Sequence, residues 1–335
     1  MSGELEYKVE DRSILLPYYK RWVVEPFVKH VPASVHPNSI THVGHLINFA
    51  GAALLLFTRP TSGWQFFVTA FAVQLYNWCD NADGTHARRT NQCSPEGEFL
   101  DHGLDVLNVG YIALMTALSM GMPVEWWLAV VLVIQSGASF TYWEQTTTGV
   151  FRVGMLNQVE ALSVLSITLI VSGIFGTDLW STPLVSTFTP RHGMLLWVIS
   201  TLLFGMARGM VRVTADVGFS AIGSVAPLIV FQIALAVAAA LGAIGPEASV
   251  ALCVGANVHF GLQMLSSRMR STQPVIDPVL SLAAGVVVLV VVGHVTGYDV
   301  PKNLAAPLLL VACGIFGIGA VIHARHARAG LRRLA

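Results

Sequence analysis

The sequence predicts an all-α, polytopic integral membrane protein with about ten transmembrane helices. Of its 335 residues, 54% are hydrophobic and only 11% are charged, and the mean hydropathy is +0.64. A soluble fold cannot bury so much apolar surface and still present a solvated exterior. Apolar stretches of about 20 residues, the length that crosses a hydrocarbon core, recur along the chain, and basic residues gather at their edges.

The chain begins with a segment that we expect to lie along the membrane surface. Residues 5–30 mix apolar and charged side chains, as an interfacial amphipathic helix does. The first 22 residues are too charged for a cleaved signal peptide. Pro32 and Pro37 then break the chain, and Asn38 or Ser39 is expected to cap the first span. Residues 1–36 are therefore predicted to form an N-terminal interfacial segment.

Ten spans are expected to follow this segment. They are 43–58, 62–80, 99–120, 124–147, 158–176, 193–213, 218–243, 246–264, 275–296 and 303–323. Lys20 and Arg21 precede the first span, Arg88 and Arg89 follow the second, and the chain ends in a basic cluster that includes Arg332 and Arg333. By the positive-inside tendency these ends face the cytoplasm. A formal net charge of zero argues against a nucleic-acid partner.

A dense polar motif interrupts the apolar pattern between Asp80 and Asp105. Its spacing is D-x2-D-G-x2-A-R-x8-G-x3-D-x3-D, and all eight fixed positions are present: Asp80, Asp83, Gly84, Ala87, Arg88, Gly97, Asp101 and Asp105. On helices, the first two aspartates share one face with Ala87, and the last two share one face with Gly97. Bringing these two faces together gathers four carboxylates around one small volume.

Such a cluster calls for divalent cations. Two unit charges 4 Å apart repel by about 4 kcal/mol even at an effective dielectric constant near 20. All-oxygen donors favour Mg²⁺ first and Mn²⁺ or Ca²⁺ next, and four carboxylates suit two ions that clamp a diphosphate. Gly84 and Ala87 leave room for a large ligand, and the Arg88 guanidinium can hold a phosphate.

Two other interpretations of the motif stay open from the residues alone. In one, the aspartates are solvated loop charges or pair with Arg88, Arg89 and Arg152. In the other, the protein is a membrane divalent-cation transporter. A transporter would place its carboxylates near the bilayer midplane, whereas the polar loop that follows Arg89 puts this motif near one membrane surface.

The motif resembles that of the CDP-alcohol phosphotransferase superfamily, and the chain is most similar to the choline and ethanolamine phosphotransferase family. The likeness extends beyond the motif to three further segments. They are Tyr7, Lys8, Asp11 and Ser13 before the membrane; Pro37, Asn38, Ile40 and Thr41 in P-N-x-I-T; and Trp143, Glu144, Thr148, Gly149, Gly154 and Asn157, with Glu160 soon after. The resemblance is strong in the first half of the chain and weak in the second.

The resemblance implies a ten-helix homodimeric enzyme that transfers phosphocholine or phosphoethanolamine from CDP-choline or CDP-ethanolamine to diacylglycerol, a membrane lipid, and releases CMP. Residues 37–215 would be the catalytic core, and 216–335 would serve lipid access and dimerisation. By the same resemblance, the four aspartates would ligate two Mg²⁺ ions, with Mn²⁺ a possible substitute. Gly84, Ala87, Arg88 and Gly97, together with Asp83, would line the CDP site, and Asn38 would lie near the nucleotide or headgroup.

A further pair of residues predicts the general base. Glu98 and His102 stand four residues apart on one helix face, so the carboxylate can orient the imidazole and raise its basicity. His102 would then deprotonate the acceptor hydroxyl. The alternative is that His102 only hydrogen-bonds in a polar pocket and that Asp105 is the base.

The headgroup is not determined by these residues. Cation-π recognition of choline would need aromatic faces, for which Tyr76, Trp78, Tyr142 and Trp143 are candidates, while Glu144 and Glu160 could contact the headgroup or pack helices. The enzymatic alternative is a CDP-diacylglycerol-dependent phosphatidyltransferase acting on a soluble polyol or phosphate ester. A bacterial inner membrane or the endoplasmic reticulum would suit the chain, with the active site facing the cytoplasm.

Several polar residues outside the motif are expected to be structural. Arg208, Arg212 and Asp216 are predicted to pair with one another at the end of the sixth span. His259, Gln263 and Asn257 could line a lipid portal, and interhelical hydrogen bonds explain them equally well. His294, His323 and His326 have no carboxylate at ligand spacing and receive no role.

Overall fold

A computed structural model describes residues 8–154, 157–298, 314, 316–319 and 321–327. In chain order the helices are α1 (Leu16–Tyr19), α2 (Glu25–Val28), α3 (Pro37–Thr58), α4 (Trp64–Thr90), α5 (Pro95–Ser119), α6 (Val124–Thr148), α7 (Gln158–Phe175), α8 (Pro190–Asp216), α9 (Ile222–Ala240), α10 (Pro246–Met269) and α11 (Pro278–Thr296). A π-helical turn spans Lys20–Val24, 3₁₀ turns span Thr177–Ser181 and Phe219–Ala221, and two strands are β1 (Lys8–Asp11) and β2 (Val150–Val153). Tyr7, most of the expected span 303–323, and Arg332 and Arg333 lie outside the described residues.

The all-α, multi-pass membrane class is confirmed. Seven of the described helices are long and apolar enough to cross a bilayer: α3, α6, α7, α8, the stretch Phe219–Ala240 that contains α9, α10 and α11. The count of about ten is not confirmed. Although α4 and α5 are 27 and 25 residues long, they are not among the seven, because they carry the charged motif and its polar neighbours.

The described chain forms two compact units that interleave along the sequence. One, here called the motif unit, contains Val9–Met122 and Arg152–Ser200. The second unit contains Pro123–Phe151 and the described residues from Thr201 onward, together with Lys8. The expected division into residues 1–36, 37–215 and 216–335 is a division by function, and it stays a prediction.

In the motif unit, α4 is the central helix. It packs against α3 on one side and α7 on the other, and α5 packs against α3 and α7. The side chains between them are fully buried and include Leu55, Phe66, Val73, Met115 and Leu169. Burying a side chain of this size is worth about 1.5–3 kcal/mol, so this core fixes α4 and α5, the two helices that carry the aspartate motif.

The segment before the membrane is tied to the start of α7 by one carboxylate. Glu160 Oε1 accepts hydrogen bonds from Ser13 Oγ at 2.7 Å, from the Ile14 N–H at 2.9 Å and from the Leu15 N–H at 2.8 Å. Its Oε2 accepts from the Asn157 N–H at 3.1 Å, which closes a capping box at the start of α7. Glu160 is thereby a structural residue rather than a free headgroup contact.

Residues 16–28 have the two-sided character that the sequence predicts for an interfacial helix. Val24 and Val28 are buried against Ile40, Cys79 and Ala82. On the opposite side, Tyr18, Trp22 and Phe27 are 65%, 67% and 62% exposed. The exposed aromatic side is suited to the headgroup region of a bilayer, and its position at the membrane surface stays a prediction.

In the second unit, α6 packs against α10 and α9 packs against α11. The expected pairing among Arg208, Arg212 and Asp216 is wrong for Arg212, which instead holds Glu144 of α6. Arg212 Nε and Nη2 lie 2.6 and 2.7 Å from the two Glu144 oxygens, a bidentate geometry. Glu144 is only 4% exposed. A carboxylate this buried requires a partner of opposite charge, and the bidentate contact with Arg212 supplies it.

Breaking this ion pair is expected to destabilise the protein. Arg212→Ala removes the bidentate partner of a carboxylate that is only 4% exposed, so it should lower the free energy of unfolding by about 3–5 kcal/mol. Glu144→Ala should lower it by less, because the Arg212 side chain is 33% exposed. Thermal unfolding in detergent measures this effect. The double variant should lose less than the sum of the two single variants; a strictly additive loss would show that the pair contributes nothing as a pair.

Candidate functional site

The two halves of the aspartate motif lie on α4 and α5, joined by residues 91–94. Helix α4 continues past the motif to Thr90 and ends at Asn91, whose left-handed conformation (φ 56°) lets its N–H bond the last carbonyls. Helix α5 starts at Pro95, and the side chain of Ser94 caps it by accepting from the Gly97 N–H at 3.0 Å. Both halves therefore stand on regular helix, as the sequence predicts.

The structure brings the four aspartates into one cluster inside the motif unit. Asp80 interacts electrostatically with Asp105 and with Asp83. Asp101 is in electrostatic contact with all three of the others. Like charges this close require neutralisation by protons or cations.

Neutral polar side chains orient the carboxylates. Thr41 Oγ1 of α3 donates to Asp83 Oδ2 at 2.5 Å, and the Tyr76 hydroxyl donates to Asp105 Oδ1 at 3.1 Å. Gln158 of α7 donates to the Tyr76 oxygen at 3.2 Å and is within reach of Asp80. These hydrogen bonds fix the direction of the carboxylate oxygens. Proteins orient metal ligands in the same way.

The cluster fits divalent cations. Asp101 Oδ1 is buried and has no hydrogen-bonding partner among the described residues. Asp101, His102 and Asp105 each offer an atom within 4.8 Å of the others. The described partners of the four aspartates are hydroxyls, amides and His102, with no arginine or lysine among them. Clustered oxygen donors with an uncovered oxygen and no cationic side chain match the site preference of Mg²⁺ and similar hard ions.

The alternative in which arginines neutralise the aspartates finds no support in the described contacts. Arg89 donates to the Val31 carbonyl and contacts His86 Nδ1 at 3.0 Å. Arg152 is paired with Glu10 at 3.3 Å. Arg88 is exposed and donates weakly to Thr85 Oγ1 at 3.4 Å, a position from which it can reach a bound phosphate.

His102 lies beside the aspartate cluster on α5. Its Nδ1 is 3.7 Å from Asp105 Oδ2, and both side chains are partly buried, at 16% and 18% exposure. Glu98 stands one turn earlier on the same face and is also partly buried. Asp101 also offers a ligand atom within 4.8 Å of those of His102 and Asp105, and the pairing of His102 with Glu98 stays a prediction.

Asn38 and Gly97 meet at one edge of the site. A Cβ atom added to Gly97 would lie 3.2 Å from Asn38 Oδ1 and 3.2 Å from Ser94 Oγ. The expected cap at Asn38 or Ser39 is wrong. His36 caps α3 instead, because Pro37 is suited to the first helical position. Asn38 is therefore free of capping, and its side-chain oxygen faces Gly97.

The other small residues of the motif, Gly84 and Ala87, lie on α4 between Asp83 and Arg88. Gly84 is partly exposed, and a Cβ there would lie 3.4 Å from Arg88 Nη1. Ala87 is 9% exposed on the same helix. Side chains this small keep the helix surface accessible to a ligand between Asp83 and Arg88, as the resemblance implies for a CDP site.

Bulk at Gly97 is expected to obstruct nucleotide binding. Gly97→Val would press against Asn38 and Ser94, so we expect KM for the CDP-alcohol to rise by about tenfold or more, equivalent to about 1–3 kcal/mol of overpacking. Steady-state kinetics measure the change. Gly285→Ala on α11 is the matched control, because a Cβ there meets nothing within 4 Å; an unchanged KM in Gly97→Val would remove Gly97 from the nucleotide site.

Of the four aromatic candidates for the headgroup, Tyr76 is the one whose hydroxyl contacts the aspartate cluster, through Asp105. Trp143 is fully buried in the second unit and donates to Ser224 Oγ at 3.0 Å. Tyr142 is 7% exposed in that unit, and Trp78 packs beside Ala82 and Cys79. Trp143 therefore has a structural role, and Tyr76 positions a carboxylate.

Three residues near the site were not singled out as site residues from the sequence. They are Thr41 and Gln158, already described, and Tyr19 on α1. Burial, and next the negative charge of Asp80, raise the pKa of Tyr19 to about 12, so this phenol stays protonated beside the cluster. Thr41 is part of P-N-x-I-T, and Gln158 directly follows Asn157. The segments that resemble the family could therefore have pointed to both residues, whereas Tyr19 lies outside them.

The part of the chain that matches known proteins contains the candidate site. Residues 34–189 match the family model for CDP-alcohol phosphatidyltransferases, a range that contains Asn38, the whole aspartate motif and Gln158. Among curated proteins, the chain is 28% identical over 187 residues to cholinephosphotransferase 1 of Danio rerio, covering 53% of this chain and 48% of the relative. It is 30% identical over 184 residues to cholinephosphotransferase 1 of Gallus gallus, covering 52% and 54%.

A third relative, from Dictyostelium discoideum, is described as an uncharacterized CDP-alcohol phosphatidyltransferase class-I family protein. It is 32% identical over 161 residues, covering 46% of this chain and 39% of the relative. The chain spans about half the length of the curated relatives it matches. The aspartate cluster lies inside residues 34–189, the part of the chain that matches the CDP-alcohol phosphatidyltransferase family, and cholinephosphotransferases are among the chain's relatives.

Proposed function

We propose that this protein transfers phosphocholine or phosphoethanolamine from a CDP-alcohol to the hydroxyl of diacylglycerol and releases CMP. The observation that carries the proposal is the cluster of Asp80, Asp83, Asp101 and Asp105, with its uncovered buried oxygen on Asp101, inside the region that matches the family. The names of the curated relatives support a choline-type donor.

The four aspartates would hold two Mg²⁺ ions, with Mn²⁺ a possible substitute, and the bound ions would neutralise charge on the diphosphate of the donor. Thr41, Tyr76 and Gln158 keep the carboxylates oriented for this task. Arg88 is placed to bind a phosphate with its guanidinium. Asn38, Gly84, Ala87 and Gly97 form the uncrowded surface against which the nucleotide would lie.

The transfer itself is a displacement at phosphorus. The acceptor oxygen forms a bond to the β-phosphorus of the donor, and the bond from that phosphorus to the oxygen of CMP breaks. We assign removal of the acceptor proton to His102, oriented by Glu98, with Asp105 at 3.7 Å as the alternative base. CMP leaves with the bonding electron pair. No covalent intermediate with the protein is needed.

The fold and the family support a membrane setting for this reaction. A multi-pass protein meets diacylglycerol within the membrane. We propose that the active site faces the cytoplasm, in a bacterial inner membrane or the endoplasmic reticulum, and that the C-terminal helices serve lipid access and homodimer formation. These assignments rest on the basic residues at helix ends and on the family resemblance.

Comparison of donors tests the function. Purified protein in detergent with Mg²⁺ is given CDP-choline or CDP-ethanolamine with diacylglycerol, or CDP-diacylglycerol with soluble polyols, and CMP release is measured. We expect release from at least one CDP-aminoalcohol. Release only from CDP-diacylglycerol would assign the protein to the phosphatidyltransferases that use a lipid donor. No release from any donor, together with Mg²⁺ flux in proteoliposomes, would favour a cation transporter.

A further inference from the structure

A second group of metal-ligating side chains lies in the second unit. His259 of α10, Asp277 just before α11, and His323 in the helical residues 321–327 each offer one ligand atom, and these atoms lie within 4.8 Å of one another. His259 and Asp277 are 1% and 2% exposed, and the His323 side chain is 16% exposed. Three separate segments of chain therefore converge on one small buried volume.

The spacing of these atoms is close to that of a metal coordination shell. His259 Nε2 is 3.0 Å from Asp277 Oδ2, and His323 Nε2 is 3.6 Å from the same oxygen. Ligands about 2.0–2.1 Å from a tetrahedral Zn²⁺ ion are about 3.3 Å from one another. The two distances bracket this value, and the rings of His259 and His323 lie side by side, with their centroids 4.9 Å apart.

The carboxylate is oriented by a contact of its own. Asp277 Oδ1 accepts from the Leu280 N–H at 2.8 Å and so caps α11. Its other oxygen is thereby directed at the two imidazoles. A ligand whose second atom is held by a backbone hydrogen bond is typical of metal sites, where such contacts set the direction of the first.

Hydrogen bonding among the three side chains leaves buried polar atoms unsatisfied. Nδ1 of His259 and Nδ1 of His323 are both buried and have no hydrogen-bonding partner among the described residues. An unsatisfied buried polar group costs about 1–3 kcal/mol, so hydrogen bonding among the three side chains does not by itself account for the burial of both rings.

We propose that His259, Asp277 and His323 form a binding site for a divalent transition metal, with Zn²⁺ the best match. Two imidazoles and one carboxylate are a common zinc donor set, and the ion would keep a fourth position for water. Its two imidazoles distinguish this site from the aspartate cluster, whose four carboxylates suit Mg²⁺. A bound ion would join α10, the start of α11 and the segment 321–327.

Metal content measures this site directly. The full-length protein is purified in detergent, treated with chelator, exposed to Zn²⁺ in excess Mg²⁺ so that Mg²⁺ competes for the aspartate cluster, and desalted. Elemental analysis is expected to find about one Zn²⁺ per chain, and thermal unfolding should shift upward with Zn²⁺ as for a ligand bound only to the folded state. Co²⁺ in place of Zn²⁺ should give the intense visible absorption of four-coordinate cobalt.

Variants locate the ion. His323→Gln, at the partly exposed position, and Asp277→Asn, which keeps an oxygen to cap α11, are expected to lose the Zn²⁺ and the thermal shift. His326→Ala removes an exposed imidazole three residues further along the same helical segment and should retain both. Wild-type protein without bound Zn²⁺ would overturn the proposal, as would equal Zn²⁺ in wild type and His323→Gln. Loss of Zn²⁺ only in Asp101→Asn would place the ion in the aspartate cluster and equally contradict it.

Discussion

Asp101→Asn is expected to lower the rate of CMP release by about 10²–10³-fold, the scale seen when one preorganised charge-stabilising group is removed. Asparagine has nearly the same shape, but it removes one negative charge and can direct an NH₂ group at the cations. The initial rate at saturating CDP-alcohol and Mg²⁺ measures the effect. Asp101 suits this test because its Oδ1 is the oxygen without a described partner.

Stability separates this explanation from simple misfolding. Asp101 stands among three other carboxylates, so removing its charge relieves repulsion. The variant should unfold in EDTA at the same temperature as wild type or higher, and should gain less stability from Mg²⁺. Glu96→Gln, an exposed carboxylate in the first turn of α5, is the control and should keep full activity. Near wild-type turnover in Asp101→Asn would show that Asp101 is not a metal ligand.

His102→Ala is expected to lower kcat by about 10²–10⁴-fold, the usual contribution of a general base, with little change in KM for the CDP-alcohol. His102 is not needed to hold the nucleotide in this account. Turnover at saturating donor and acceptor gives kcat, and Mg²⁺-dependent thermal stabilisation checks that the aspartate cluster is intact. Glu98→Gln should have a smaller effect, because Glu98 acts through His102 rather than on the substrate.

Comparison with Asp105→Asn decides between the two bases. Asp105→Asn should weaken both Mg²⁺ binding and turnover, because Asp105 belongs to the cluster and accepts from Tyr76. His102→Ala should reduce turnover alone. If His102→Ala retained wild-type kcat, the imidazole would be a hydrogen-bonding residue of the pocket and Asp105 would remain as the base.

The membrane fold and the convergence of the aspartates were accessible from the sequence because both are periodic patterns. Runs of apolar residues indicate spans, and spacings of three and four residues place side chains on one helix face. The count of about ten spans stays unconfirmed, since α4 and α5, which carry the aspartates, are long helices that are not among the seven apolar ones. A helix that carries a buried polar site does not have the hydropathy of a simple membrane span.

Pairings between distant segments were not accessible. The expected partner of Arg212 was Asp216, four residues away, whereas its partner is Glu144, 68 residues away. Glu160 binds Ser13 and its neighbours across 147 residues. His323 was assigned no role because no carboxylate lies near it in sequence, yet Asp277 is 3.6 Å away. Such contacts depend on how helices pack, and spacing along one helix carries no information about them.

The most direct test of the central claim is the stoichiometry of products with diacylglycerol as the acceptor. CMP and newly formed phospholipid are quantified together from one reaction with CDP-choline or CDP-ethanolamine and Mg²⁺. The account predicts one phospholipid per CMP, with both products abolished by EDTA and by Asp101→Asn. CMP formed without phospholipid would contradict transfer to diacylglycerol, and activity that survives EDTA would contradict a metal-dependent aspartate site.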